Sequence, residues 1–279
     1  MKLYSPIGIF DSGIGGLTVL KEIVKKLPQY DYIYLGDNAR APYGTRSFET
    51  VYQYTLECVQ KLFSMNCELI ILACNTASAK ALRNIQQLDL ERIAPGKRLL
   101  GVIRPTSEVV GKYTKTKHVG VLGTSGTVMS ESYKIEIQKL YPDINVFQEA
   151  CSIWVPMVEY DEIDTPAADF FIKKHIDALF AKSPEGAGNK IDTVILGCTH
   201  YPLLLHKIKK FVPENVKIVV QGEIVADSLA NYLKRHPEIE NKCSKNAQLE
   251  FFTTDSTESF DKVAGRFWGG EIKSKHLTV

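Results

Sequence analysis

The chain has no segment approaching the ~18 consecutive apolar residues that a membrane-spanning helix requires. Its opening stretch, MKLYSPIGIFDSG, has one lysine and a short apolar run that stops at Asp11, too early for a secretory leader with a small-residue cleavage site. These absences predict a cytoplasmic protein with no membrane partner. Its six cysteines, Cys58, Cys67, Cys74, Cys151, Cys198 and Cys243, are then expected to be reduced. No two of them form a CxxC pair, which argues against finger-type structural zinc. Excess charge of one sign is lacking too. The chain has 34 Lys and Arg against 32 Asp and Glu, a formal +2, and no basic run long enough to make a nucleic-acid surface. The mildly basic stretch Glu271–His276 reads as a solvated tail.

What is present is enough apolar material for a large core. The 279 residues, 44% hydrophobic and 24% charged, suit two ordinary domains or one large one. Apolar runs rich in Val and Ile alternate with helical patterns, the signature of βαβ units and a mainly parallel sheet. Strands are expected at Ile7–Phe10, Tyr32–Leu35, Leu69–Ala73, Leu100–Ile103, His118–Leu122, Ile144–Gln148, Thr193–Gly197, Val216–Val220 and Leu249–Thr253. Helices are expected at Leu17–Leu27, Phe48–Ser64, Glu131–Leu140, Ala167–Ala181 and Ala226–Arg235. The small, polar stretch Ser183–Lys190 reads as a flexible loop.

An internal repeat organises these elements. IGIFDSGIGG (7–16) parallels VGVLGTSGTV (119–128), and LIILACNT (69–76) parallels TVILGCTH (193–200), in the same order. Two ordered matches predict two similar α/β domains. Ligands of open parallel sheets sit at the carboxyl ends of strands. Two related domains facing one another therefore aim Cys74 and Cys198 into one cleft from opposite sides.

The turn Asp11-Ser12-Gly13-Ile14-Gly15-Gly16 lets backbone approach a ligand at a helix start. It lacks the GxGxxG spacing, and its aspartate repels phosphate. An Asp beside a Ser suits a small zwitterion, and an N-cap role is the alternative. In ACNTASA (73–79), Cys74 stands among small polar residues at a helix N-terminus, a setting that lowers a thiol pKa. Cys58, Cys67 and Cys243 read as buried and inert. In GCTHYP (197–202), His200 follows Cys198 by two residues and suits proton transfer or the holding of a charge. Zinc is the rival use of Cys198 and His200, but they fall short of a ligand set. Two thiols facing each other across a small-anion site suit removal of an α-proton from one face of an amino acid and its return to the other. No phosphate loop accompanies a Schiff-base lysine, so pyridoxal phosphate is not expected. Lys80 reads as a helix-surface residue, and His118, His175, His206, His236 and His276 as surface or packing residues.

IGIFDSGIGGLTV (7–19), GDNARAPYG (36–44), LACNTASA (72–79), GTSGT (123–127), VPMVE (155–159) and GCTHYPLL (197–204) together resemble the glutamate racemases of the aspartate/glutamate racemase superfamily over nearly the whole chain. The resemblance implies an α/β fold of two similar domains, pseudo-twofold related, with mainly parallel sheets flanked by helices and the active site in the interdomain cleft. It implies a discontinuous first domain (1–97 and 211–279) interrupted by a second (98–210). It also implies reversible interconversion of L- and D-glutamate without cofactor or metal, supplying D-glutamate for peptidoglycan, and it leaves a homodimer open. In the family pattern Cys74 and Cys198 are the acid/base pair, assisted by Asp11, His200 and Glu159. Substrate contacts come from Asp11, Ser12, Pro42, Tyr43, Gly44, Asn75, Thr76, Thr124, Thr127, Thr199 and His200. Two positions depart from the pattern. Ser152 stands where a proline usually follows the cysteine, and Arg104 stands where an acidic residue is common. Other readings remain at this point: a racemase of the same superfamily acting on aspartate, a Cys198/His200 thiol amidase, and an amino-acid-binding protein without chemistry.

Overall fold

Val, Ile and Leu fill the segments that become strands. Helices cover both faces of each sheet, so these strands are apolar along their length instead of alternating. The computed structural model describes residues 4–183 and 190–279. Residues 184–189, the centre of the loop expected at Ser183–Lys190, lie outside the described residues. Among the described residues the strands are β1 Ile7–Asp11, β2 Tyr32–Gly36, β3 Leu69–Leu72, β4 Arg98–Gly101, β5 His118–Gly123, β6 Asn145–Ala150, β7 Thr193–Gly197, β8 Lys217–Val219, β9 Leu249–Thr253 and β10 Ser274–His276.

They form two sheets, ordered β10-β9-β2-β1-β3-β4 and β6-β5-β7-β8, and every pairing is parallel. The internal repeat shows in this topology. The run β2-β1-β3-β4 of the first sheet has the same order as the whole second sheet, so β1 corresponds to β5 and β3 to β7. Ile7 pairs with Tyr32 and Leu69, and Val119 pairs with Val146 and Thr193. The fold is the α/β arrangement of two similar parallel sheets flanked by helices.

The chain leaves the first sheet after Gly101 and leaves the second after Val219. The expected boundaries at 97/98 and 210/211 put β4 and β8 on the wrong sides. Both are short apolar strands, and apolar character does not say which sheet a strand joins. The strand expected at Leu100–Ile103 is in fact Arg98–Gly101, because Ile103 already opens the helix Ile103–Val110. Pro105 sits in the first turn of that helix, where a missing N–H leaves nothing unpaired. The stretch expected as a tail contains β10. Its hydrogen bonding continues as Leu277 N donates to Thr253 O at 2.9 Å, and Lys275 pairs with Glu250 at 2.6 Å.

Two packing features hold the site ends in place. The helix Gln221–Arg235, returning from the second sheet, packs on the helix Leu17–Lys26 that follows β1. Beyond β7, Tyr201 is fully buried with its ring 4.9 Å from that of Trp154, and its hydroxyl donates to Cys151 O at 2.8 Å. Burial of such a ring is worth on the order of 1.5–3 kcal/mol, and it anchors the turn that begins at Cys198.

Candidate active site

Each β1-like and β3-like strand ends in a residue with chemistry. Asp11 closes β1, Thr124 follows β5, Cys74 follows β3 by two residues, and Cys198 follows β7 directly. After β3 and β5 helices start almost at once, so the first polar side chains there become caps. Thr124 Oγ1 accepts from Thr127 N at 3.3 Å, and Cys74 Sγ accepts from Ala77 N at 3.4 Å.

The Cys74 thiol donates to Ser12 Oγ at 3.3 Å. Its helix-start position predicted a lowered pKa, but the structure reverses that. Burial, then the nearby charge of Asp11, push the thiol up to about 12 despite the favourable bonds from Ser12 and Ala77. Desolvation of the thiolate outweighs the donors of a one-and-a-half-turn helix. In the substrate-free protein Cys74 is therefore a thiol at neutral pH.

Cys198 has a different neighbour. Its Sγ lies 4.0 Å from His200 Nδ1, and His200 Nε2 lies 2.8 Å from Glu159 Oε1, at the end of the helix Trp154–Glu159. Burial alone would lower the pKa of this imidazole, but the bonds to Cys198 and Glu159 win and raise it to about 10. The ring also packs edge-on against Phe267, with centroids 5.2 Å apart. The second cysteine thus has a cationic imidazole and a carboxylate behind it, which the first lacks.

Asp11 is fully buried. Its Oδ2 accepts from Gly13 N at 3.0 Å, and Oδ1 has no hydrogen-bond partner. Burial raises its pKa, opposed by the charge of His200 and by the Gly16 and Gly13 N–H groups. An unpartnered buried carboxylate oxygen costs on the order of 1–3 kcal/mol or more, a cost that a ligand ammonium would remove. Gly15 lets this turn press on the second domain, because a Cβ there would collide with Thr199 Oγ1 and His200 Nδ1. Thr18 Oγ1 adds a direct bond to Thr199 O at 2.9 Å.

Three hydroxyls from the two domains meet nearby. Thr76 Oγ1 lies 2.9 Å from Thr124 Oγ1 and 3.4 Å from Thr127 Oγ1, and Thr124 and Thr127 lie 3.1 Å apart. Gly44 O accepts from Gly126 N at 2.7 Å, so the turn carrying Tyr43 and Gly44 closes onto the same place. Tyr43 is buried and its hydroxyl donates to Asp37, whereas Pro42 is exposed. The structure therefore gathers Asp11, Ser12, Gly44, Thr76, Thr124 and Thr127 with Cys74, and Thr199 and His200 with Cys198. Asn75 is buried one residue beyond Cys74.

Residues that the sequence reading did not single out complete the surroundings. Asp37 accepts from Tyr43, from Arg40 Nε at 2.7 Å and from Thr254 Oγ1 at 2.8 Å, fixing the Tyr43 turn. It lies inside the GDNARAPYG motif, which was its available signal. Tyr133 and Gln221 bond to Asn75 and carried no local signal at all. Lys80, expected on a helix surface, is buried, and its ammonium donates to Arg46 O at 2.7 Å because its helix is covered by the second domain. Cys58, Cys67 and Cys243 are buried free thiols, as expected. The two departures from the family pattern have structural roles. Ser152 Oγ accepts from Ser125 N at 2.8 Å, and Arg104 forms exposed pairs with Glu108 and Glu136. A cavity of about 590 Å³ between the domains, lined by Lys80, Arg83, Arg104 and Glu108 among others, contains neither Cys74 nor Cys198.

Comparison with known proteins follows the same lines. The model of the Asp/Glu/Hydantoin racemase family matches residues 7–228. A glutamate racemase from Geobacter metallireducens is 41% identical over 270 residues, covering 96% of this chain and 94% of that protein. Among solved structures, a glutamate racemase isoform from Bacillus anthracis is similar with a TM-score of 0.88 at 36% identity, covering 100% of this chain and 99% of that one. The glutamate racemase of Francisella tularensis, solved in complex with D-glutamate, gives a TM-score of 0.84 at 32% identity, covering 99% and 97%.

Proposed function

The chain belongs to the Asp/Glu/Hydantoin racemase family and is an amino-acid racemase; from that premise we propose that it interconverts L- and D-glutamate by proton transfer between two cysteines. One observation supports the mechanism: Cys74 and Cys198 follow equivalent strands of the two repeats, at the carboxyl ends of both sheets, and both cysteine segments touch the turn after Asp11, Cys74 through Ser12 and the Cys198–His200 segment through Gly15 and Thr18.

The substrate ammonium pairs with Asp11 Oδ1, the buried oxygen that otherwise has no partner. The α-carboxylate meets Asn75 and Thr199, and the side-chain carboxylate accepts hydrogen bonds from the hydroxyls of Thr76, Thr124 and Thr127. Cys198, as thiolate, removes the α-proton of the L form, with the His200 cation stabilising the negative charge held there. Cys74, as thiol, delivers its proton to the opposite face. After one turnover the proton states are exchanged, Cys198 a thiol and Cys74 a thiolate, which is the state that accepts the D form. Atoms and charge balance with the two thiols as the only acid and base and the electron pair left on the α-carbon delocalised into the substrate's own α-carboxylate, so the reaction needs neither pyridoxal phosphate nor metal. Glu159 orients His200, and Asp11 draws the charge of the reacting zwitterion toward the cleft. The reaction supplies D-glutamate for peptidoglycan, as the resemblance to glutamate racemases implies.

The test is incubation of L-glutamate with purified protein in deuterated water, with no added cofactor. Loss of optical rotation should accompany α-deuteration. Absence of α-exchange overturns the assignment, and activity that is lost on chelation and restored by zinc would replace the two-thiol mechanism with a metal site.

A further inference from the structure

We propose that Gln221 and Tyr133 are positioning residues for the proton transfer, because with Asn75 they close a hydrogen-bond ring that fixes the Asn75 amide beside Cys74 from the two chain crossovers. The inference rests on the racemase reading for its kinetic consequence and on the structure alone for its geometry.

Asn75 Nδ2 donates to Gln221 Oε1 at 2.8 Å, Gln221 Nε2 donates to Tyr133 OH at 2.7 Å, and Tyr133 OH donates to Asn75 Oδ1 at 2.6 Å. All three side chains are buried, at 2%, 4% and 0% exposure for Asn75, Gln221 and Tyr133, so water does not substitute for a lost partner. They come from three distant places. Asn75 opens the helix after β3, Tyr133 lies in the helix Ser132–Leu140 of the second domain, and Gln221 opens the helix that returns from β8.

Only one polarity of this ring fits its surroundings. Gln221 Nε2 also lies 3.2 Å from Val102 O and 2.9 Å from Thr106 Oγ1, while Thr106 gives its own proton to Val102 O at 3.1 Å. A main-chain carbonyl only accepts, and the Thr106 hydroxyl has spent its proton, so the amide nitrogen of Gln221 must face them: one of its two N–H groups serves Tyr133 OH, and the other is shared between Thr106 Oγ1 and Val102 O. Gln221 Oε1 must therefore face Asn75, which obliges Asn75 to present Nδ2 there and Oδ1 to Tyr133. The second N–H of Asn75 is left over as a fixed donor. Val102 belongs to the outgoing crossover and Gln221 to the returning one, so the connection between domains dictates the amide orientation next to Cys74. Since Cys74 caps the helix that Asn75 begins, a slack ring also releases the thiol from its place.

The experiment uses the full chain with Tyr133→Phe, Gln221→Met and Gln221→Glu, each alone and combined with Asn75→Ala. It measures kcat/KM for glutamate racemisation and the rate of Cys74 alkylation by iodoacetamide, read by mass spectrometry with Cys67 and Cys243 as internal controls. Each single variant should lower kcat/KM by about 10–100-fold, the scale of an ångström-level misplacement. The same changes should cost less than about threefold more in the Asn75→Ala background, because they act through Asn75. Gln221→Glu keeps the volume and Oε1 but loses the donation, so it should fail as Gln221→Met does. Cys74 alkylation should accelerate severalfold with the controls unchanged. Losses that add fully to that of Asn75→Ala, or Cys74 alkylation as slow as in wild type, overturn the proposal. Tyr133→Phe removes one oxygen only and decides the matter if the glutamine variants do not fold. If the wild type neither racemises nor exchanges glutamate, the racemase reading fails by itself, and Cys74 alkylation still decides the ring.

Discussion

His200 Nε2 sits 2.8 Å from Glu159 Oε1 while its Nδ1 faces Cys198 Sγ at 4.0 Å, so one buried imidazole links a carboxylate to the second cysteine. Cys74 has no such relay and meets the hydroxyl of Ser12 instead. The two cysteines occupy equivalent places in a repeated fold yet differ in electrostatic support.

Glu159→Gln tests that relay through pH. Burial would depress the His200 pKa, but the bonds to Cys198 and Glu159 raise it to about 10. A folded-state pKa above the ordinary 6.5 means the cation stabilises the fold fully below pH ~6.5 and ceases to do so as pH rises through about 10. Replacing the carboxylate by an amide weakens one of the two supports. The alkaline limb of kcat/KM should then move down by about one pH unit, and kcat should fall by roughly tenfold near pH 8. The equilibrium constant between enantiomers is one, so kcat/KM must change equally in both directions. Only kcat and KM taken separately can diverge. An alkaline limb left where it was removes Glu159 from the relay.

Asp11→Asn should raise stability and abolish activity together. The folded-state pKa of Asp11 is raised by burial, so the wild type loses stability as pH climbs from about 4 through that raised value. Asparagine keeps an acceptor for Gly13 N and carries no buried charge. Chemical unfolding at pH 7 should show a gain of about 1–3 kcal/mol, absent at pH 3.5, while kcat/KM drops by at least about 100-fold. The same change removes the negative charge facing Cys74, so Cys74 alkylation at a fixed pH should become faster. A less stable Asn variant would mean that Oδ1 is satisfied in the free protein.

How far the sequence revealed this site depended on how local each feature is. Asp11, Cys74 and Cys198 are legible because strand, turn and helix start lie within ten residues, and the two-fold recurrence puts both cysteines at strand ends. The sheet to which Arg98–Gly101 belongs is not legible. Its pairing with Leu69–Leu72 is a choice among similar apolar strands made by packing. Ser274–His276 has no apolar signal and forms a strand only because Phe251–Thr253 offers it an edge. The Cys74 pKa went the opposite way from expectation because sequence shows the helix start but not the depth of burial. Gln221 and Tyr133 lie 146 and 58 residues from Asn75, and no periodicity links side chains across such separations.

Substrate length should be read by the three threonines. Thr76, Thr124 and Thr127 lie within hydrogen-bond reach of one another, so under the proposed binding mode together they should donate three hydroxyl hydrogen bonds to one carboxylate. Aspartate is one methylene too short to reach them while its ammonium stays on Asp11. Losing two charged hydrogen bonds, at about 1.5–3 kcal/mol each, puts glutamate ahead of aspartate by at least roughly 100-fold in kcat/KM. Thr124→Val should lower kcat/KM for glutamate by about 10–100-fold and narrow that preference. Comparable kcat/KM for the two substrates in the wild type would show that these hydroxyls do not hold the side-chain carboxylate.

The two cysteines should be separable by stereochemistry. A base on one face of the substrate cannot reach a hydrogen on the other, so each thiolate should remove the α-proton of one enantiomer only. The resemblance assigns Cys198 to L-glutamate and Cys74 to D-glutamate, and the geometry gives Cys198 the cationic partner and Cys74 the raised pKa. Cys74→Ala and Cys198→Ala should each abolish racemisation, by more than about 1000-fold, because inversion needs one group to take a proton and the other to give one. Each single variant keeps one base, however, and a substrate analogue with a leaving group on its β-carbon needs only proton removal. The α-proton goes to the remaining thiolate, the electron pair forms the double bond, and the leaving group departs as an anion. Elimination from the L analogue should survive in Cys74→Ala and elimination from the D analogue in Cys198→Ala. The measurement is the rate of leaving-group release from both enantiomers with both variants. If the two variants favour the same enantiomer, or if Cys74→Ala racemises glutamate at the wild-type rate, the thiols do not stand on opposite faces of the substrate and the two-base mechanism fails for this chain.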